Sequence, residues 1–221
     1  MKVILHNSIS LDGSFLNFEV NMGIHYQITG NYKADAHLIG SKTARTGIEK
    51  YGGVPPEEKK DFVKPKKENG LPYWVIPDTK GILKGLLHAY RGFEFCRDVI
   101  VLSSEKTPKD YLRYLEERDY DYHIIGKEHV DLKKALKVLS TEYNVKTILT
   151  DTGRELNCLL LNQGLIDEIS LLISPELIGH QAEYLFREVS ENIKLEKAKC
   201  TILDEDYIWL VYKVKKRQKL A

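Results

Sequence analysis

Short runs of valine, isoleucine and leucine recur along the chain with helical stretches between them, and this alternation restricts the fold more than any other feature. Met1–His6, Ala36–Gly40, Tyr73–Ile76, Asp98–Ser103, Tyr122–Gly126 and Thr147–Asp151 each read as a strand. Most of these runs close on Gly, Ser or Asp, as buried strands that feed functional loops do. The spacing predicts helices between them. Thr107–Asp119 has Thr107 as N-cap and Pro108 at its first position, with Tyr111, Leu112 and Leu115 on one face. Asp131–Tyr143 opens on an Asp cap and aligns Leu132, Leu136 and Leu139. Leu156–Gln163 aligns Leu156, Leu159 and Leu160 and stops at Gly164. Strand and helix in alternation imply βαβ units and a doubly wound parallel sheet. The last third differs. Asp167–Ser174 alternates apolar and polar residues, and Lys194–Leu203 and Tyr207–Lys215 read as an antiparallel hairpin joined by Asp204–Glu205–Asp206. The fold class is therefore α/β, with a mixed, mostly parallel sheet, an antiparallel C-terminal hairpin and flanking helices.

The 221 residues suit one domain, residues 1–221. Thirty-three basic residues against 32 acidic ones leave a net charge of +1, which excludes a dedicated nucleic-acid binder. The short basic tail KVKKRQKLA reads as a fraying end. No apolar run is long enough to span a membrane, and the N-terminus reads as a strand and not as a signal peptide. Three widely spaced cysteines fit neither a disulfide framework nor a zinc site, so a cytoplasmic location is expected. No metal site is expected, because no Cys/His pair has ligand spacing. The seven histidines are scattered, and His25, within GIHYQI, reads as structural or exposed. Val54–Pro72, rich in proline and charge, is a long loop, either a solvated connection or a mobile lid.

Chemistry concentrates in three segments at strand ends. Ser8–Gly13 (SISLDG) is a turn carrying Ser10 and Asp12. Leu38–Thr46 runs from a strand into Gly40, Ser41 and Thr43, then a helical turn. The free N–H groups of such a start attract phosphate, or the segment is an ordinary cap. It is neither a Walker loop nor a G-x-G-x-x-G fingerprint. Asp151–Leu156 (DTGREL) follows a buried strand, where open α/β sheets bind ligands. Asp151 there either orients a substrate and relays a proton or caps the next helix.

In order, SISLDG, ADAHLIGSKTA and DTGRELNCLLLNQGLIDEISLLISPELIG resemble the reductase domain of riboflavin biosynthesis, of the dihydrofolate-reductase-like superfamily. The last segment is the most specific: Asp151, Gly153, Leu156–Asn157, Gly164–Glu168, Pro175 and Gly179 follow the family pattern, and VIPDTKGIL resembles its Val-Asp-Ser-x-Gly-x-Leu stretch. The resemblance covers residues 3–215. It implies the three-layer dihydrofolate-reductase-like fold, NADPH as cofactor and a homodimer. The implied reaction is hydride transfer that opens a ribosylamino-pyrimidine 5′-phosphate to its ribityl form, the 5-amino-6-(5-phosphoribosylamino)uracil reductase type. Matched position by position, Gly40, Ser41 and Thr43 would meet the cofactor. Thr152, Gly153, Arg154, Glu155 and Leu156 would hold its pyrophosphate, and Gly126 would lie on the adenine side. Ser103 and Ser104 are candidates for a 2′-phosphate. Asp151 would stand near the reacting sugar carbon, and Ser10 and Asp12 would line the substrate cleft.

Three departures accompany the resemblance. Thr152 or Arg154 interrupts the family's Gly-Gly pair, the acidic residue is Asp and not Glu, and Gly47 stands where Asp is expected. They leave two alternatives open: a reductase of another small carbonyl, imine or pterin, or a non-catalytic nucleotide-binding protein of the same fold. The zinc deaminase signature of bifunctional relatives is absent from the sequence.

Overall fold

The computed structural model describes residues 1–50 and 53–216. In chain order its elements are β1 (Lys2–Ser10), α1 (Met22–Asn31), β2 (Ala36–Leu38), α2 (Ser41–Lys50), β3 (Tyr73–Pro77), α3 (Leu87–Gly92), β4 (Val99–Ser103), α4 (Lys109–Glu117), β5 (Asp121–Ile124), α5 (Leu132–Glu142), β6 (Thr147–Thr150), α6 (Arg154–Asn162), β7 (Glu168–Ser174), β8 (Leu195–Ile202) and β9 (Ile208–Val214). Two compact units emerge: residues 1–34 with those from 147 onward, and residues 35–146.

In the first unit the strands run in the order β6-β1-β7-β9-β8. β1 is parallel to β6 and β7, with Leu5 opposite Thr150 and Ser10 opposite Ser174. β9 is antiparallel to β7 and to β8, so the expected C-terminal hairpin is present, closed by a 3-10 turn at Asp204–Asp206. In the second unit β2, β3, β4 and β5 are parallel neighbours in sequence order. Each parallel return carries a helix or long segment, as a parallel pair requires. β4 is buried along its whole length, which is why its sequence reads as an unbroken apolar run.

Several boundaries differ from the sequence reading, each for a visible reason. β1 continues past His6 to Ser10, because its polar residues are buried with partners and not solvated: His6 meets Ser170, Asn7 meets Asn157 and Ser8 meets His25. Thr107 does not cap α4. Its hydroxyl accepts from the Ser104 N–H, and Pro108 occupies the cap position. α6 begins at Arg154, and its buried face is Asn157, Cys158, Leu160 and Leu161, while Leu159 is 45% exposed. Asp131 caps α5 as expected, accepting from the Lys134 N–H at 3.0 Å. Gly164 takes a left-handed φ of 66° just beyond α6. Lys215 and Lys216 of the basic tail pair with Glu196 and Asp167, and residues 217–221 lie outside the described residues.

The second unit buries an ion pair as well as an apolar core. Arg91 Nε donates to Asp98 at 2.8 Å, its other nitrogens donate to the carbonyls of Asp61, Arg118 and Asp119, and its guanidinium lies 3.6 Å from the Tyr120 ring centre. Segment 54–72 is fastened to this unit. Glu57 receives Tyr114 and Arg118, the Pro55 carbonyl receives His88, and Lys67 Nζ donates to the carbonyls of Arg91, Phe93 and Cys96 at 2.6, 2.6 and 2.8 Å. Among the described residues no helix is long and apolar enough to cross a membrane.

Candidate active site

Side chains alternate across a strand, and this decides what β1 presents. His6, Ser8 and Ser10 share one face, which α1 covers; Asn7 lies on the other, against α6. From α1, His25 reaches back to the strand. Ser8 Oγ lies 2.8 Å from His25 Nδ1, and His25 Nε2 lies 2.9 Å from Asp151 Oδ2. Ser8 and His25 are buried, whereas the Asp151 side chain is 32% exposed. Asp151 therefore does not cap α6; Gly153 holds that position. The order Ser–His–Asp is that of a hydrolase triad, but the exposure is reversed. A hydrolase exposes the serine nucleophile, and here the serine is sealed inside the strand while the carboxylate meets solvent. The arrangement holds an acid or base, not a nucleophile.

A second imidazole stands beside this chain. The His6 ring centre is 4.6 Å from that of His25. Its Nδ1 is 3.0 Å from Ser170 Oγ, which also accepts from Trp209 Nε1 at 2.9 Å. Among the described residues His6 Nε2 has no hydrogen-bond partner. Burial, reinforced by repulsion from His25, pushes its pKa down to about 4, so this ring is neutral at neutral pH.

The turn carrying Asp151 is set from below by a buried amide net. Asn157 Nδ2 donates to Asn7 Oδ1 at 2.7 Å and to the Thr152 carbonyl at 2.8 Å, and Asn7 Nδ2 donates to the same carbonyl at 3.1 Å. Thr150 Oγ1 donates to Asn157 at 3.3 Å. Thr152 is thereby fixed, and with it both ends of the Asp151–Gly153 turn. Gly153 has φ −72° and ψ 174° and no side chain to cap the helix. Arg154 does not point freely toward a ligand: its guanidinium bonds Glu183 at 3.0 Å and Glu188 at 3.1 Å. Glu155 is exposed in the first turn and Leu156 is half-buried.

Ser10 and Asp12 form their own turn. Ser10 is fully buried and donates to Asp12 Oδ1, while Asp12 Oδ2 accepts from the N–H groups of Ile178 and Gly179. The Ser10 hydroxyl and the Gly179 N–H hold the Asp12 carboxyl below its usual range. With Leu5 level with Thr150, Ser10 lies four residues beyond the level of Asp151, about 13 Å along the strand. The structure thus joins Asp151 to His25 and Ser8 and separates it from the Ser10–Asp12 turn.

The remaining matched residues lie in the second unit. Gly40 precedes α2, its carbonyl accepting the Ala44 N–H; Ser41 is half-buried and Thr43 exposed on the first turn. Gly47 has a packing reason: a Cβ there would stand 3.3 Å from the Tyr90 hydroxyl, which donates to the Ala44 carbonyl. Gly126, past the end of β5, has φ 104°, and a Cβ would come within 2.2 Å of the His129 carbonyl, so only glycine fits. Ser103 and Ser104 are buried, their hydroxyls donating to the His123 and Glu128 carbonyls, which removes them as receivers of a 2′-phosphate. A polar cavity of ≈ 160 Å³ lined by Asp35, Asn69, Tyr73, Arg97 and Tyr143 sits at the opposite, N-terminal end of β3 from these residues. The donor chemistry fits a phosphate-bearing cofactor in each unit taken by itself. α2 and α6 both start at a glycine, Gly40 and Gly153, and a helix start without a side chain over it is where phosphate is attracted.

The family model described as the RibD C-terminal domain matches residues 1–209. A curated relative, the 2,5-diamino-6-ribosylamino-4(3H)-pyrimidinone 5′-phosphate reductase of Aquifex aeolicus, is 28% identical over 80 residues. That stretch spans 36% of this chain and 35% of the relative, about a third of its length. Among solved structures, a pyrimidine reductase-like protein from Corynebacterium diphtheriae superposes with a TM-score of 0.75 at 19% identity, covering 98% of this chain and 92% of that one. The Saccharomyces cerevisiae riboflavin biosynthesis reductase Rib7 superposes at 0.67 and 16% identity, over 97% and 90%.

Proposed function

The chain belongs to the RibD C-terminal domain family, and from that premise we propose that it is an NADPH-dependent reductase of a ribosylamino-pyrimidine 5′-phosphate. The observation that carries this reading is Asp151. It is a half-exposed carboxylate at the C-terminal end of a parallel strand, beside a helix start, and buried His25 grips it. That is where a doubly wound sheet meets its ligands. NADPH, when bound, supplies the hydride, and within the first unit the helix start at Gly153–Leu156 would hold its phosphate. Asp151 works at the substrate: it orients the opened sugar and exchanges a proton with its oxygen. Ser10 and Asp12 shape the turn bordering the substrate, and their own hydrogen bonds keep that turn rigid. The resemblance adds a homodimer, which light scattering tests.

A second reading is favoured by Arg154. Its guanidinium is already held by Glu183 and Glu188, so a phosphate gains less from it than from a free arginine. A reductase of the same fold acting on another small carbonyl, imine or pterin asks less of that turn.

The test is a titration with NADPH and NADH by calorimetry, followed by turnover assays. Micromolar NADPH affinity with weaker NADH affinity, and oxidation of NADPH by the ribosylamino-pyrimidine phosphate, is the expected result. Turnover of a pterin alone selects the second reading, and binding of neither cofactor removes both in favour of a non-catalytic protein. Asp151→Asn should lower kcat about 100-fold or more while keeping NADPH affinity; unchanged turnover takes Asp151 out of the mechanism.

A further inference from the structure

We propose that the uncovered face of β8 and β9 is where a second copy of this chain packs, related to the first by a two-fold axis. The homodimer expected above has no surface assigned to it. This face supplies one, so the placement rests on that expectation and not on what the protein reduces. Strand register carries it. Side chains alternate across a strand, so residues opposite one another on β7, β9 and β8 share a face. Two rows cross the three strands on one face: Ile173–Ile208–Ile202 and Leu171–Leu210–Cys200. Neither row holds a charge.

The reverse face is closed, because Leu172 and Trp209 pack there with Ile24 and Ile28 of α1. The face carrying the two rows stays open at its β8 side. Ile202 is 75% exposed, Cys200 is exposed, and Ile173, Ile208 and Leu210 are half-buried. The next row, Ile169–Tyr212, does have a cover: Phe186, Val189 and Ile193 meet it around an apolar cavity of ≈ 220 Å³. Just beyond the open end of the sheet, Leu177 and Leu11 are 72% and 59% exposed. The sequence of β9 fits a cover on both sides. Ile208–Tyr212 breaks the hairpin's alternation, and five apolar residues in succession give the strand two apolar faces, the pattern of a strand buried on both.

Size and charge select a second copy as the occupant. The open apolar surface at this end comes to roughly 500 Å², near the upper end of what a monomer leaves to water. A standard interface takes about 800 Å² from each partner, about two-thirds of it apolar where identical chains meet. The patch therefore matches one side of such an interface in area and in character. A two-fold axis brings the patch against itself, and uncharged rows set no like charge against like. At the far end of the hairpin Lys215 and Lys216 are already paired with Glu196 and Asp167, so these lysines do not oppose the approach of an identical chain.

Two measurements test this, and neither needs turnover. Light scattering of the full chain at micromolar concentration is expected to give twice the chain mass. Ile202→Glu and Cys200→Glu replace exposed side chains, so the fold is kept, and an unchanged circular dichroism spectrum checks it. Each substitution enters a two-fold interface twice, so the dissociation constant should rise about 100-fold or more. The second measurement is alkylation of Cys200 by N-ethylmaleimide. Cys96 and Cys158 are buried, so Cys200 supplies the fast thiol signal. Its rate should fall as protein concentration rises through the dissociation constant, and should stay at the dilute value in Ile202→Glu. A wild-type monomer at micromolar concentration overturns the placement and the homodimer together. A dimer that survives both substitutions, or whose Cys200 reacts as fast as in dilute protein, overturns this face and leaves the homodimer standing. The reductase reading is decided separately, by turnover.

Discussion

Replacing His6 by leucine removes an imidazole that the fold keeps uncharged, and the consequence should appear in how stability depends on pH. His6 is fully buried, and burial followed by repulsion from His25 lowers its pKa from 6.5 to about 4. The folded value lies below the unfolded one. As pH falls, the unfolded chain therefore binds the proton first and stability drops. The contribution is fully present above the unfolded value and is lost as pH falls toward the folded one. Between about pH 7.5 and about pH 5 those two values remove about 2 kcal/mol, rising to about 3 kcal/mol below pH 4. Leucine cannot titrate, and Ser170 still accepts from Trp209 in its absence. Urea unfolding at both pH values, for wild type and His6→Leu, gives the comparison. The wild type should lose about 2 kcal/mol more than the variant on acidification, whatever the variant costs at neutral pH. Equal losses would show that His6 is protonated or solvated in the folded protein, and the reasoning about this pocket would fail.

Asn157→Leu should destabilise by about 2–4 kcal/mol in urea unfolding, because it strips partners from the buried Asn7 and Thr150 side chains; a loss below about 1 kcal/mol would mean that water replaces the amide. Gly126→Ala should cost at least about 2 kcal/mol, since φ 104° and a backbone carbonyl both oppose a Cβ; a thermal midpoint equal to wild type would refute that strain. Arg91→Met should cost about 3–5 kcal/mol by leaving Asp98 buried without its cation, and Arg91→Met with Asp98→Asn should recover part of it. An unchanged double mutant would show that the carbonyl contacts, and not the pair, set the cost.

The α/β class was legible because β3, β4 and β6 are short apolar runs, because Asp131 caps α5 and Gly164 stops α6, and because the hairpin alternates. α1 was not legible. Its buried residues are His25, Ile28 and Thr29, so two of three inward positions are polar and the apolar period is faint. Asn21, which accepts from the Ile24 N–H, is the cap that marks its start. α6 was shifted because an asparagine lies on its buried face, which an apolar count passes over. The Ser8–His25–Asp151 chain joins residues 17 and 126 positions apart, and no local spacing encodes such a meeting. Asp151 was legible as a strand-end carboxylate, whereas its grip by His25 depended on where α1 packs. Gly47, which departs from the family pattern, becomes intelligible through Tyr90, a contact 43 residues away in sequence.

Lys67 has all three of its ammonium hydrogens directed at main-chain carbonyls, those of Arg91, Phe93 and Cys96. The receiving side of this fastening is thus independent of which side chains residues 91, 93 and 96 carry, whereas the donating side rests on a single amine. Substitutions should drift freely along the receiving segment as far as this contact is concerned and be resisted at residue 67. Acylation of that one amine would detach what many neutral changes opposite it could not.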